Sequence, residues 1–283
     1  MSTTNSNMNT TNVKRVAQKA EFSPLMEALT RFGYGVRGLI YVVMGVLAVQ
    51  VVLGKGGALA SPQGAIAAIG KQPAGRILLW VVLVGLISYA LWGVVRAVMD
   101  PLHKGHDAKG LIARAGYLAS AFGYAILIFP TYGYIRGASK TASGSGTQNL
   151  IAKIMGIPGG RWAIAILGLI VLGAGLYQIY QGLSASFDRQ FKTYALTAKE
   201  LKLAKDIGRF GTAARGVVLA IVGGLIGLSA YHANPSQKIG MDTALATLLN
   251  QPYGRWLLGA IALGLIAFGI YSTMSALWFR IRR

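Results

Sequence analysis

One short phrase is written into this chain more than once, and each time a long apolar run follows it. It stands at Arg31-Phe32-Gly33-Tyr34-Gly35-Val36-Arg37-Gly38 and again at Arg209-Phe210-Gly211-Thr212-Ala213-Ala214-Arg215-Gly216. A weaker copy lies between them at Arg114-Ala115-Gly116-Tyr117-Leu118-Ala119-Ser120-Ala121, with Ser120 in the place of the second Arg. A second phrase follows each copy and opens a further apolar run: Pro73-Ala74-Gly75-Arg76, Pro158-Gly159-Gly160-Arg161 and Pro252-Tyr253-Gly254-Arg255. From the first Arg to the second the separations are 45, 47 and 46 residues (31 to 76, 114 to 161, 209 to 255). Three copies at nearly constant spacing are an internal repeat, so the three units share one local fold.

The runs decide what that fold is. The chain is 54% hydrophobic and 13% charged, where a soluble domain carries roughly a quarter charged residues. Its apolar blocks reach the roughly 20 residues that a bilayer-crossing helix needs. Six spans are expected, near residues 36–53, 75–98, 115–134, 162–183, 213–231 and 256–278. Between the two spans of each unit lies an apolar segment too short to cross: 65–69, 149–155 and 244–249. The expected fold is therefore an all-α membrane fold, six transmembrane helices as three repeated helical hairpins, each with a short interfacial helix between its spans. The units are 23–100, 112–184 and 207–283. Residues 1–22 read as a disordered polar tail, with no apolar core after the charged start and so no signal peptide. Residues 185–206 read as a basic cytoplasmic linker helix carrying Lys199, Lys202 and Lys205, capped by Thr197 with Glu200 three residues on.

Charge sets the orientation. Of the 28 Lys and Arg, 19 fall on the side of the two termini and 9 on the other. Cytoplasmic segments carry the excess of positive residues. Both termini are therefore expected in the cytoplasm and the short helices on the outer face. The net charge of +20 collects at the ends of apolar runs, a pattern that suits anionic headgroups rather than nucleic acid. Cysteine is absent, which excludes disulfides and thiolate chemistry.

Arg37 and Arg215 are the sharpest candidates for a site. Each lies about one turn inside its apolar run, where a charge is costly and marks function. Arg37 shares a helix face with Tyr41. A guanidinium there can bind a lipid phosphate or an anionic solute through two parallel hydrogen bonds. Arg37, Tyr41, Arg215 and the equivalent Ser120 are therefore the lipid- or anion-binding candidates. The competing reading is that both Arg snorkel out to the headgroups and fix helix depth. Arg76, Arg161 and Arg255 read as interfacial anchors. Each opposes the dipole of the helix it opens, which calls for a partner such as a carbonyl of the preceding short helix.

Other chemistry is thinly represented. His103, His106 and Asp107 have metal-ligand side chains, but no Cys or third His stands near and Lys104 and Lys109 flank them. A solvated loop is expected there, with no metal or cofactor. All eight acidic residues fall outside the expected spans, whereas ion-coupled pumps carry an intramembrane carboxylate. No catalytic constellation is placed to work, so an enzyme is not expected.

The chain resembles a family of uncharacterised bacterial integral membrane proteins, a domain of unknown function made of three tandem two-helix repeats. Gly33-Tyr34-Gly35-Val36-Arg37-Gly38, Gln72-Pro73-Ala74-Gly75 and Gln251-Pro252-Tyr253-Gly254 carry the likeness. In the middle unit Ser120 replaces the Arg and Ile157 precedes the Pro. The resemblance implies the inner membrane and this repeat layout, and no activity. The function expected is a non-enzymatic membrane module that holds anionic lipid, a protein partner or a second copy of itself. The alternative is an uncoupled channel or transporter for an anion or small solute.

Overall fold

The computed structural model describes residues 24–59, 61–100, 105–137, 153–184, 198–232 and 239–278. Among them are eight named helices: α1 (Pro24–Val52), α2 (Pro62–Gly70), α3 (Gly75–Val98), α4 (Ala108–Ile135), α5 (Gly160–Leu183), α6 (Ala198–Tyr231), α7 (Met241–Leu249) and α8 (Gly254–Trp278). Six of them, all but α2 and α7, are long and apolar enough to cross a membrane. The chain is a multi-pass α-helical membrane protein, and the short helices α2 and α7 fall between the spans of the first and third units. In the middle unit residues 153–155 form one helical turn, and 149–152 lie outside the described residues.

The second repeated phrase is a turn, and its composition follows from the backbone. Ala74, Gly159 and Tyr253 all take left-handed φ values of 61°, 79° and 60°. The following glycine closes the turn each time, its N–H donating to Gln72, Ile157 and Gln251 carbonyls at 2.8, 2.9 and 2.8 Å. A methyl group on Gly75, Gly160 or Gly254 would stand 2.2, 1.6 or 1.9 Å from a carbonyl oxygen of Gly70, Ile154 or Leu249. Glycine is there because the preceding helical segment ends against it.

The first phrase packs helices. A methyl group on Gly38 would stand 2.6 Å from the carbonyl oxygen of Gly269, and one on Gly216 would stand 2.8 Å from that of Gly175. Ala121 holds the same place in the middle unit and lies against Gly93. Small residues let these backbones approach closely. Each of these contacts joins the first helix of one unit to the second helix of the unit before it. The closest helix pairs are accordingly α3 with α4, α5 with α6, and α8 with α1. The last pair brings the third unit back onto the first, so all three interfaces of a cyclic arrangement are present.

Contacts within a unit are less even. Gly33 meets the backbone of Tyr89 and Gly211 that of Phe268, which seals the first and third hairpins. Gly116, their counterpart, has no neighbour within 4 Å. The two spans of the middle unit, α4 and α5, stand apart, and they are the least buried of the six.

Three local expectations change. The basic stretch after residue 197 is not a separate linker helix: it forms the first turns of α6, whose 34 residues reach about 50 Å at 1.5 Å each. Nothing between Lys205 and Arg215 breaks a helix, so the span and the basic segment fuse. Thr197 lies outside the described residues. The helix of the third span, α4, starts at Ala108 rather than near 115, because Asp107 caps it by accepting from the Gly110 N–H at 3.1 Å. The helix α7 begins at Met241, before Asp242. Asp242 is then a first-turn acid favoured by the helix dipole.

Candidate functional site

The repeat places aromatic residues where its arginines can reach them. Thirteen residues after Arg76, Arg161 and Arg255 stand Tyr89, Ala174 and Phe268. Tyr89 and Phe268 are almost fully buried, held by the glycine contacts just described. Arg37 donates to the Tyr89 hydroxyl at 2.5 Å. Its guanidinium lies over the Tyr89 ring at 5.2 Å and over the Phe268 ring at 4.7 Å. Arg215 lies over Phe268 at 5.0 Å, on which Arg37 also packs, and over Tyr41 at 5.6 Å. It donates from Nε to the Tyr41 hydroxyl at 2.8 Å and from Nη1 to the Gln178 side-chain oxygen at 2.7 Å.

A third arginine completes the row. Arg96, near the end of α3, is 6% exposed. It donates from Nη1 to the Tyr34 hydroxyl at 3.1 Å and packs on Tyr117 at 4.6 Å and Tyr89 at 5.7 Å. Tyr34 and Tyr117 are the same repeat position in consecutive units, so Arg96 sits at a unit boundary. The result is one continuous sequence of alternating rings and cations: Arg96, Tyr89, Arg37, Phe268, Arg215.

The electrostatics of this row are one-sided. None of the three arginines makes an ion pair with a described residue; Glu27 pairs with Arg31 at 2.6 Å, outside the cluster. Ring faces and phenol oxygens compensate part of the charge, at about 0.5–2 kcal/mol per cation–π contact. Three buried N–H groups are left over: Arg37 Nε, Arg96 Nε and Arg96 Nη2 have no hydrogen-bond partner. A buried, charged donor without an acceptor is costly.

The fold thus brings together Arg37, Tyr41 and Arg215, and it turns the two guanidiniums inward onto neighbouring helices instead of outward as snorkelling requires. Ser120 stays apart: it is half-buried on α4 and makes no hydrogen bond with a described residue. Arg96, Tyr89, Phe268, Tyr34 and Gln178 escaped the sequence reading. A signal existed for Arg96, a cation one turn before the end of an apolar run. The aromatic repeat position at 89 and 268 is visible only when the two second helices are aligned.

The remaining arginines are structural in geometry. Arg114 donates to the Ala97 and Val98 carbonyls at 2.6 and 3.0 Å. Arg209, its repeat partner, donates to Gly182 and Leu183 at 3.1 and 2.8 Å. Both cap the second helix of the preceding unit, where a cation suits the dipole. Arg161 caps α6 through the Ala230 carbonyl at 2.6 Å and that of Tyr231. Its partner is thus the end of a neighbouring span, not the preceding short helix. Arg76 and Arg255 are exposed and make no such bond. Lys199 and Lys202 are exposed on the projecting turns of α6, and Lys205 is half-buried. His106 Nδ1 lies 3.1 Å from Arg114 Nη1, Asp107 is the α4 cap, and His103 lies outside the described residues.

Fold and site together define a class: a six-span membrane protein of three tandem helical units with an arginine–aromatic cluster between them whose arginines make no ion pair with a described residue. The family described as Domain of Unknown Function (DUF1206) matches three times in tandem, over residues 32–100, 115–185 and 210–278, and the chain belongs to it. The chain is also similar to the Uncharacterized protein YxxB of Bacillus subtilis (strain 168), with 30% identity covering 92% of this chain and 94% of that one. No solved structure matches.

Proposed function

We propose that the protein is a non-enzymatic membrane module that holds an anion at Arg37, Arg96 and Arg215. The observation that carries this reading is the set of three unpartnered buried N–H groups on two of three arginines that make no ion pair with a described residue. An isolated charge in a membrane interior is expensive, and a bound phosphate or carboxylate would return that cost through charge-assisted bonds. The module sits in the bacterial cytoplasmic membrane with both termini in the cytoplasm, a placement supported by the 19-to-9 division of Lys and Arg. A protein partner could then meet the basic turns of α6, at Lys199 and Lys202.

The rival reading is an uncoupled anion channel. The glycine faces are split: Gly168, Gly175 and Gly223 lie against backbone of the neighbouring helix, whereas Gly173, Gly224 and Gly227 face open space, and Gly168, Gly223, Gly224 and Gly227 line a pocket between α5 and α6. Native mass spectrometry from mild detergent separates these ideas. The wild type should retain an anionic ligand that an Arg37→Ala/Arg215→Ala variant loses. Identical spectra from two folded proteins would overturn the site. Anion flux in proteoliposomes, abolished by the same variant, would replace the module with a channel.

A further inference from the structure

We propose that the anion is the phosphate headgroup of a membrane lipid, admitted sideways between α4 and α5; the idea rests on the anion-holding reading above. The repeat has places for three arginine–aromatic pairs and fills two. Arg37 with Tyr89 closes the first unit, and Arg215 with Phe268 closes the third. In the middle unit the same two positions are Ser120 and Ala174. Both sides of the pair shrink together, and Gly116 beside them has no neighbour. Tyr177 is 60% exposed where its counterpart Trp92 is 1% exposed. The opening between α4 and α5 is therefore specified by residue size at several positions, not by one loose contact.

Both walls of the opening lead to the cationic row. From α4, Tyr117 lies under Arg96 and Tyr124 packs on Tyr89 with ring centroids 4.4 Å apart. From α5, Gln178 accepts from Arg215. The buried Nε and Nη2 of Arg96 are the unpartnered donors nearest the α4 wall. Outside, α4 and α5 present exposed apolar side chains, Phe122 and Phe129 on one and Ile166 and Leu169 on the other. Those faces suit acyl chains, while the arginines suit a phosphate. A lipid already lies beside such an opening, whereas a soluble anion would need an aqueous route. The opening is in the plane of the membrane, which favours the lipid over free phosphate as the source of the anion.

The test uses the full chain in mild detergent, with phosphatidylglycerol, phosphatidylcholine, glycerol 3-phosphate and inorganic phosphate as probes, read by native mass spectrometry. Phosphatidylglycerol should bind about tenfold or more tightly than phosphatidylcholine, whose phosphate sits beside a quaternary ammonium that the arginine row repels. A Ser120→Leu/Ala174→Phe variant fills the opening without adding charge and should lose that lipid. Retention of the lipid by this variant, with loss in Arg37→Ala/Arg215→Ala, would overturn the sideways path and leave the anion site standing. Binding of inorganic phosphate or glycerol 3-phosphate without phosphatidylglycerol would overturn the lipid and keep the site. No anion bound by the wild type would sink both. A second measurement does not depend on the filled variant folding. The chain has no Cys, so a single Ala174→Cys can be labelled specifically. Phosphatidylglycerol should slow that labelling several-fold in the wild-type background and not when Arg37 and Arg215 are Ala; equal slowing in both overturns the proposal.

Discussion

Arg215 on α6 donates to the hydroxyl of Tyr41 on α1 at 2.8 Å, across 174 residues of chain. The bond ties the third unit to the first at the level of the cluster, where Tyr41 is 3% exposed. Removing the hydroxyl leaves a buried cationic N–H without its acceptor. Tyr41→Phe should therefore cost about 1–3 kcal/mol, seen as a lower thermal midpoint in detergent. It should also weaken anion retention, because Arg215 loses the contact that orients it. A Tyr41→Phe protein with unchanged midpoint would mean that water replaces the phenol.

Phe268 is shared by two cations, so its replacement should be felt twice. Phe268→Leu keeps most of the apolar volume and removes both ring faces. The loss should be about 1–4 kcal/mol, the sum of two cation–π contacts. In an Arg37→Gln background the same substitution should cost about half as much, since one cation is already gone. A double-mutant cycle with no coupling would show that the ring is only packing.

Much of the fold was legible in the sequence, and the reason is the repeat. Periodic apolar runs and two recurring phrases find all six spans and nearly all their ends, because helix formation in a bilayer depends on run length; the helices of the third and fifth spans, α4 and α6, start earlier than expected, at Ala108 and Ala198, because polar turns continue them beyond the apolar run. The site was half legible. Arg37 and Arg215 announced themselves by breaking apolar runs, but Arg96 was hidden by its place at the end of one, where a cation is ordinary. Tyr89 and Phe268 were hidden because an aromatic residue in an apolar run costs nothing to explain. Which side of a helix meets which neighbour is set by tertiary packing, and no single run encodes it. The opening in the middle unit was signalled by Ser120, but its meaning needed Ala174 and Gly116 in view together.

The turn before each second span gives opposite outcomes at adjacent residues. Ala74 has φ 61°, a region that costs an L-residue about 1–2 kcal/mol. Ala74→Gly should relieve part of that and raise the thermal midpoint by a few degrees. Gly75→Ala drives a methyl group to 2.2 Å from the Gly70 carbonyl oxygen and should lower it. A neutral Gly75→Ala would mean that the end of α2 yields without cost.

Gly38 and Gly116 are both helical glycines, one packed against a neighbouring backbone and the other facing open space. Gly38 faces the Gly269 carbonyl on α8, so Gly38→Ala forces the first and last spans apart. Overpacking of this kind costs about 1–3 kcal/mol. Gly116 lies in mid-helix with no neighbour within 4 Å, so Gly116→Ala adds a methyl group to open space and gains helix propensity, up to about 1 kcal/mol. The two substitutions are chemically identical and their effects on the thermal midpoint should have opposite signs. A fall at Gly116 as large as at Gly38 would mean that α4 and α5 close on each other in the membrane as the other hairpins do. The middle unit would then be sealed, and a lipid would have no sideways path to Arg96.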